Sequence, residues 1–181
     1  MQKEPDFYQF NTDKIERFLS KYGESTNVYI GSYDRYGEKI TDFSCSEEER
    51  DYIKTIVPQS FIKDILSRVI TNGLEDQVVE NTAIENVKVA ASALKLDGKC
   101  MIVWVFFGIM SDGEKNNDVL EKLSRKTSFP QFLNAIDVLR DIGTDRLRAQ
   151  AYLVQTEEEK RKTIYSAKEM DKAISIIKGE P

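Results

Sequence analysis

The fold is decided by residues 88–110, which read KVAASALKLDGKCMIVWVFFGIM. Asp97-Gly98 stands between two long runs of β-forming residues. This dipeptide is among the strongest hairpin signals, because both central residues of a type I′ turn need positive φ. The second arm, Cys100 to Met110, is apolar on both of its faces. Such a strand must be covered on both sides, so we predict a strand in the middle of a sheet with one helical layer on each face.

A symmetric turn at Asp97-Gly98 also predicts which side chains share a face, because Ser92 would then pair with Val103. One predicted face carries Lys88, Ala90, Ser92 and Leu94 with Met101, Val103, Val105 and Phe107. The other carries Val87, Val89, Ala91 and Ala93 with Cys100, Ile102, Trp104 and Phe106. Large aromatics oppose small residues in the second set, which favours tight packing there against the N-terminal helix and the tail.

The first face is where we predict a ligand pocket, beneath the helices at residues 47–70, because binding pockets are mostly apolar with few polar groups. The pocket candidates are Lys88, Ser92, Val103 and Val105. The alternative is that Ser92 is a small core residue and that Lys88 extends its ammonium group to solvent.

Composition excludes several classes of function. The 181 residues carry a net charge of −5, which argues against generic nucleic-acid binding and against an anionic membrane surface. Histidine is absent, which removes His-based zinc sites, Ser-His-Asp and Cys-His catalysis, a phosphoaccepting histidine and a proximal-histidine haem. No signal peptide precedes the first helix, and the longest apolar run is too short to cross a bilayer. We expect no cofactor and no metal.

The two cysteines, Cys45 and Cys100, belong to no CxxC motif and are predicted to be reduced thiols in a cytoplasmic compartment. Cys45 precedes a predicted helix, where the pKa of a thiol can fall, so a redox role is one interpretation. An unreactive loop cysteine is the other. Cys100 is most simply a core residue.

The remaining elements follow from local signals. We predict a helix closed by Gly23, then a hairpin of 27–33 and 39–43 around a turn at Asp34–Gly37. Ser46 and Glu49 form a capping box, and Pro58 separates the two helices of 47–70. Three strands follow at about 75–80, 86–96 and 99–109, then a helix at 117–126 anchored by Val119, Leu120 and Leu123. The predicted domains are an N-terminal arm and helix (1–23), a sheet domain (24–115) and C-terminal helices (116–181).

The last predicted helix, about 129–178, has a regular apolar period. Twelve positions step by three and four: Leu139, Ile142, Arg146, Ala149, Leu153, Thr156, Lys160, Thr163, Ala167, Met170, Ile174 and Ile177. Most are apolar, and the polar ones concentrate in the middle. This stripe predicts a parallel two-stranded coiled coil with a weak centre. The alternative is an amphipathic helix that folds onto its own domain.

The element order and the first hairpin, VYIGSYDRYGEKI at residues 28–40, resemble the PAS fold and its GAF and PocR-type relatives among bacterial sensory domains. The resemblance implies an α+β fold: a five-stranded antiparallel PAS-like sheet flanked by helices, with a long C-terminal signalling helix. The flavin-adduct motif of some PAS domains is missing, because Arg17-Phe18-Leu19-Ser20 has no preceding cysteine.

We therefore expect a ligand-sensing and dimerising regulatory module of a bacterial signal-transduction protein. It would form a homodimer through the C-terminal helix, bind a small molecule and act on an effector domain in a longer chain. It would bind no nucleic acid and no membrane. One alternative is a purely structural dimerisation module with no ligand. Another is an enzyme, which the lack of histidine, of a nucleophile motif and of a phosphate loop makes the weaker interpretation.

Overall fold

The structure, a computed structural model, describes residues 12–71, 75–112 and 121–179. It is an α+β fold with an open five-stranded antiparallel sheet and a long C-terminal helix, which confirms the predicted architecture. The elements are α1 (Thr12–Thr26), β1 (Tyr29–Asp34), β2 (Lys39–Thr41), α2 (Glu47–Ile56), α3 (Gln59–Ile70), β3 (Gln77–Asn81), β4 (Val87–Leu96), β5 (Lys99–Ile109) and α4 (Phe129–Lys178).

The strand order is β2-β1-β5-β4-β3, so β5 lies in the centre of the sheet as its apolar sequence predicts. The β4–β5 turn is also as predicted: Asp97 has φ 52° and Gly98 has φ 77°, the two positive values that a type I′ turn requires. The first hairpin turns at Asp34, whose carboxylate accepts hydrogen bonds from the backbone N–H of Tyr36 and Glu38.

The predicted pairing of β4 with β5 is correct only next to the turn. Lys95 pairs with Cys100, but the next pair is Leu94 with Ile102, so Met101 is an extra residue on β5. This β-bulge moves the rest of β5 by one position, and a shift of one residue places every β4 side chain against a different neighbour. Ser92 therefore lies beside Trp104 and not beside Val103.

The face beneath α2 and α3 is the main apolar core, and we call it the inner face. From β4 and β5 it contains Val87, Val89, Ala91, Ala93, Val103, Val105, Phe107 and Ile109. The prediction was correct for these β5 residues and wrong for β4, whose odd-numbered residues were expected on the opposite side. The helices contribute Ile53, Ile62, Ile65, Leu66 and Val69.

The other side, the outer face, carries Trp104 and Phe106 together with Ser92, as the register requires. It is covered by the beginning of α4. A Cβ atom on Gly108 would lie 2.6 Å from the ring of Phe132, so this glycine makes room for a fully buried aromatic side chain. The predicted packing of Trp104 and Phe106 on a helix-covered face is confirmed.

The end of α1 differs from the prediction. The helix continues through Gly23 to Thr26, and Asn27 has the left-handed conformation, with φ 57°. A Cβ atom on Gly23 would lie 2.8 Å from the carbonyl oxygen of Val28, so this glycine permits a close approach of the chain and is not the helix cap.

Capping side chains define the other helix boundaries. Ser46 Oγ accepts the backbone N–H of Glu49 and donates to its carboxylate, which confirms the capping box of α2. At the start of α4, Ser128 Oγ accepts the N–H of Gln131, and the Gln131 side-chain oxygen accepts the N–H of Ser128. This second capping box explains why the helix begins at Phe129.

Residues 117–120 of the predicted helix, with Val119 and Leu120, lie outside the described residues. Of the remainder, Glu121 and Lys122 are helical, but residues 123–126 are not, so the prediction was wrong for its last turn. Leu123 is fully buried, as expected of an anchor.

The chain divides into two compact units, Met1–Asp141 and Ile142–Pro181. The first unit contains the sheet, α1 to α3 and the beginning of α4. It therefore extends well beyond residue 115, where the sequence suggested a boundary. Among the helices that the structure describes, none is both long and apolar enough to cross a bilayer.

Candidate functional site

The four predicted pocket residues do not line one pocket. Val103 and Val105 are buried in the inner-face core, whereas Ser92 is fully buried on the outer face. Lys88 also belongs to the outer face, where its ammonium group lies 4.9 Å from the centre of the Phe129 ring. The predicted pocket assumed the symmetric register, and the bulge at Met101 places its members on opposite sides of the sheet.

Ser92 instead belongs to a row of polar side chains that crosses the outer face. The row consists of Gln77, Ser92, Trp104, Ser32 and Thr41, which pair in register across all five strands. The hydroxyls of Ser32 and Thr41 are 2.6 Å apart and hydrogen-bonded. By contrast, Ser92 Oγ and Trp104 Nε1 are buried and have no hydrogen-bond partner within the described parts of the chain.

Replacing Ser92 by Ala should raise the free energy of unfolding by about 1 kcal/mol, because the substitution removes a buried hydroxyl that no protein group satisfies. The matched control is Ser32→Ala, which should lower it by about 1–3 kcal/mol by leaving the Thr41 hydroxyl unpaired. Urea denaturation measures both. A loss of stability in Ser92→Ala would contradict the prediction and indicate a bound water at this row.

A cleft of about 270 Å³ lies between α1 and the β2–α2 loop. Helix α1 contributes Glu16, Ser20 and Glu24, which are four residues apart and therefore lie on one face of the helix. The remaining lining comes from the loop 43–46, from the first turn of α2 and from Arg125. Phe43 and Cys45 are the only apolar side chains among the lining residues that the structure describes.

Arg125 is held at this cleft by backbone oxygens. Its Nη1 donates hydrogen bonds of 3.0 Å to the carbonyls of Val28 and Ser44, and its guanidinium carbon lies 4.7 Å from the centre of the Tyr29 ring. The Tyr29 hydroxyl accepts the backbone N–H of Arg125 and donates to Glu49 Oε2 at 2.7 Å. The guanidinium is thus fixed in place, and its other nitrogens have no acceptor among the described residues.

Several charged side chains of the cleft form no hydrogen bond or close ion pair with another described residue. The side chains of Glu16, Glu24 and Arg50 form neither a hydrogen bond nor an ion pair with any other residue in the ranges described. The hydroxyl of Ser44 is buried without a partner in the same ranges. Glu49 differs, because one of its carboxylate oxygens accepts Ser46 Oγ and the other accepts the Tyr29 hydroxyl. The cleft therefore offers charges of both signs to a ligand.

Cys45 lines this cleft but is not an activated thiol. Burial and the negative charge of Glu49 raise its pKa to about 11, and its Sγ lies 3.6 Å from the carbonyl oxygen of Phe43. The interpretation of Cys45 as a redox residue with a lowered pKa is wrong, because the side chain is half-buried beside a carboxylate. Cys100 is also a free thiol, and burial raises its pKa to about 11.

The second unit exposes apolar side chains along the predicted stripe of α4. Leu153, Met170 and Ile177 are more than half exposed, and Ile174 is 42% exposed. Other exposed apolar residues, such as Tyr165 and Ile176, lie outside the stripe.

Sequence reasoning did not find the cleft. The four-residue spacing of Glu16, Ser20 and Glu24 was a usable local signal. Nothing in the sequence shows that Arg125, about a hundred residues later, meets the same helix. No protein-family model matches the chain, and no curated protein matches it either. The PAS-like identity therefore stays a prediction, and function must be inferred from the geometry.

Proposed function

We propose that this chain is a dimerising, ligand-sensing regulatory module of a bacterial signal-transduction protein. A second copy of the chain packs along α4, and an effector domain in a longer chain receives the signal. The observation that carries the proposal is the exposed apolar stripe on the second unit, with Leu153, Met170, Ile174 and Ile177 at the spacing of a coiled coil.

The physical argument concerns the part of α4 beyond Asp141, which forms a compact unit of its own. At 1.5 Å per residue, this segment is roughly 55 Å long. Helices of this kind draw most of their stability in water from packing an apolar face. A parallel partner helix would bury the stripe, and the polar positions Thr156, Lys160 and Thr163 would leave the middle of the pair weaker than its end.

The sensing half of the proposal is supported by the cleft at Arg125, whose charged side chains are suited to a small polar ligand. The order of elements agrees with a PAS-like sensor: a hairpin, two helices, a three-stranded meander and a long helix. The half-buried free thiols suit a reducing cytoplasm, which is the location we propose.

Sedimentation equilibrium of the full chain tests the dimer. We expect a dimer at micromolar concentration and a monomer after the double substitution Met170→Glu and Ile174→Glu, because two carboxylates in each helix would be buried without partners. The matched control is Tyr165→Glu with Ile176→Glu, which replaces equally exposed apolar residues outside the stripe and should keep the dimer.

A wild-type chain that remains monomeric at high micromolar concentration would contradict the proposal. Equal dissociation of both double variants would contradict the assignment of the interface to the stripe.

A further inference from the structure

We propose that the cleft between α1 and the β2–α2 loop binds a small zwitterion, a free α-amino acid. The ammonium group would lie near the carboxylates of α1, and the carboxylate near Arg50 and Arg125. This inference rests on the sensing half of the proposed function and assigns to it a site and a class of ligand.

The first step is the balance of charge. Glu16 and Glu24 have no described partner, and the Arg50 side chain forms no hydrogen bond or ion pair with the described residues, only a longer-range electrostatic interaction with Asp42. Glu49 is a third carboxylate of the lining, but two hydroxyl donors occupy its oxygens, so the acids that remain for a ligand are the two on α1. Two carboxylates and two guanidinium groups therefore remain for a ligand with one charge of each sign.

The second step excludes simpler ligands. A phosphate or a dicarboxylate would be repelled by Glu16 and Glu24 and by the acidic first turn of α2. A divalent cation would meet two guanidinium groups, and the described residues contain no group of three side chains suited to a metal ion. An apolar ligand would find only Phe43 and Cys45 to contact among the described lining residues.

The third step is a buried hydroxyl that lacks a partner. Ser44 lines the cleft and is 7% exposed, its carbonyl oxygen accepts Arg125 Nη1, and its Oγ has no partner in the described chain. Buried polar groups of proteins are nearly always hydrogen-bonded, to a ligand or water where no protein group is near. A ligand carboxylate placed beside Arg125 would be close to this hydroxyl.

The fourth step is size and position. A volume of about 270 Å³ is just below the usual range for small-molecule sites, so it suits an amino acid better than a nucleotide or a flavin. Arg125 belongs to the short segment that leads into α4 at Phe129. A ligand bound to Arg125 would therefore contact the segment that leads into the long helix.

The test is thermal unfolding of the full chain, followed by titration calorimetry, with the common free amino acids added one at a time at about 10 mM. We expect at least one of them to raise the Tm. Its N-acetyl and its amide derivatives, which lack the ammonium and the carboxylate, should each bind about tenfold more weakly or worse.

Glu24→Gln and Arg50→Gln should also weaken binding by about tenfold, because each removes one charge partner. The matched control is Glu47→Gln in the exposed first turn of α2, outside the lining, which should leave affinity unchanged. Circular dichroism checks that each variant is folded. Arg125 is not substituted, because it also supports the β1 and loop backbones.

The inference is overturned if no amino acid changes the Tm, or if the acetylated and amidated forms bind as well as the free one. It is equally overturned if Glu24→Gln and Arg50→Gln bind like the wild type. Sedimentation separates the two proposals: a chain that dimerises but binds no amino acid loses only this inference. If the chain binds an amino acid but stays monomeric, only the proposal of a dimer is overturned.

Discussion

Replacing Phe132 by Ala should lower the free energy of unfolding by about 3–5 kcal/mol. Phe132 is fully buried on the outer face, where its ring occupies the space left by Gly108. The substitution removes apolar contact and leaves a cavity that the sheet cannot close. Because domains of this size are stable by only about 5–15 kcal/mol, the variant should be close to unfolding at room temperature.

Urea denaturation followed by circular dichroism measures this loss. Ile176→Ala is the control on the same helix, since Ile176 is 70% exposed in the second unit and lies outside the stripe, and it should change stability by less than about 0.5 kcal/mol. Similar losses in the two variants would contradict the assignment of the start of α4 to the sheet domain and of its remainder to a separate unit.

The second large effect is a loss of stability at alkaline pH. The pKa of Tyr29 and that of Tyr33 are raised from 10.0 to about 12, in both cases mainly by burial, which disfavours the phenolate. Below pH 10 the two phenols stay protonated in the folded and in the unfolded chain, so their full contribution to the free energy of unfolding is present. Between pH 10 and 12 only the unfolded chain loses them, so each tyrosine lowers the free energy of unfolding by about 1.4 kcal/mol per pH unit.

Denaturation curves at pH 9, 10, 11 and 12 test this expectation, with Tyr33→Phe as the matched variant. The Tyr33 hydroxyl forms no hydrogen bond within the described residues, so its removal should leave stability nearly unchanged below pH 10. Above pH 10 the variant should lose stability less steeply than the wild type. If the free energy of unfolding fell equally with pH in the wild type and the variant, the Tyr33 phenol would have the same pKa in the folded and unfolded chain, which would contradict the prediction.

Elements with strong local signals could be predicted from the sequence. Asp97-Gly98 fixes a turn that few other dipeptides allow, and the two-sided apolarity of β5 implies the central place that it has in the sheet. The capping box at Ser46 and Glu49 predicts the start of α2, and the helix begins there, at Glu47. The equivalent pair at Ser128 and Gln131 was present in the sequence and was overlooked.

The site could not be predicted, for two physical reasons. Met101 resembles its apolar neighbours, so no local pattern shows that it is the extra residue of a bulge, and without that knowledge Ser92 is assigned to the wrong neighbours. The cleft depends on an approach between Glu24 and Arg125, which are distant in sequence and meet only after the sheet has formed.

The bulge at Met101 also bears on how this hairpin can change length during evolution. A relative that lacks this one residue would have a regular ladder with the same side chains facing each helical layer, because Lys95–Cys100 and Leu94–Ile102 would become consecutive pairs. A deletion further along β5, between Ile102 and Ile109, would instead invert part of the strand and bring Trp104 or Phe106 to the inner face. Natural insertions and deletions in this strand should therefore concentrate within a residue or two of the hairpin tip.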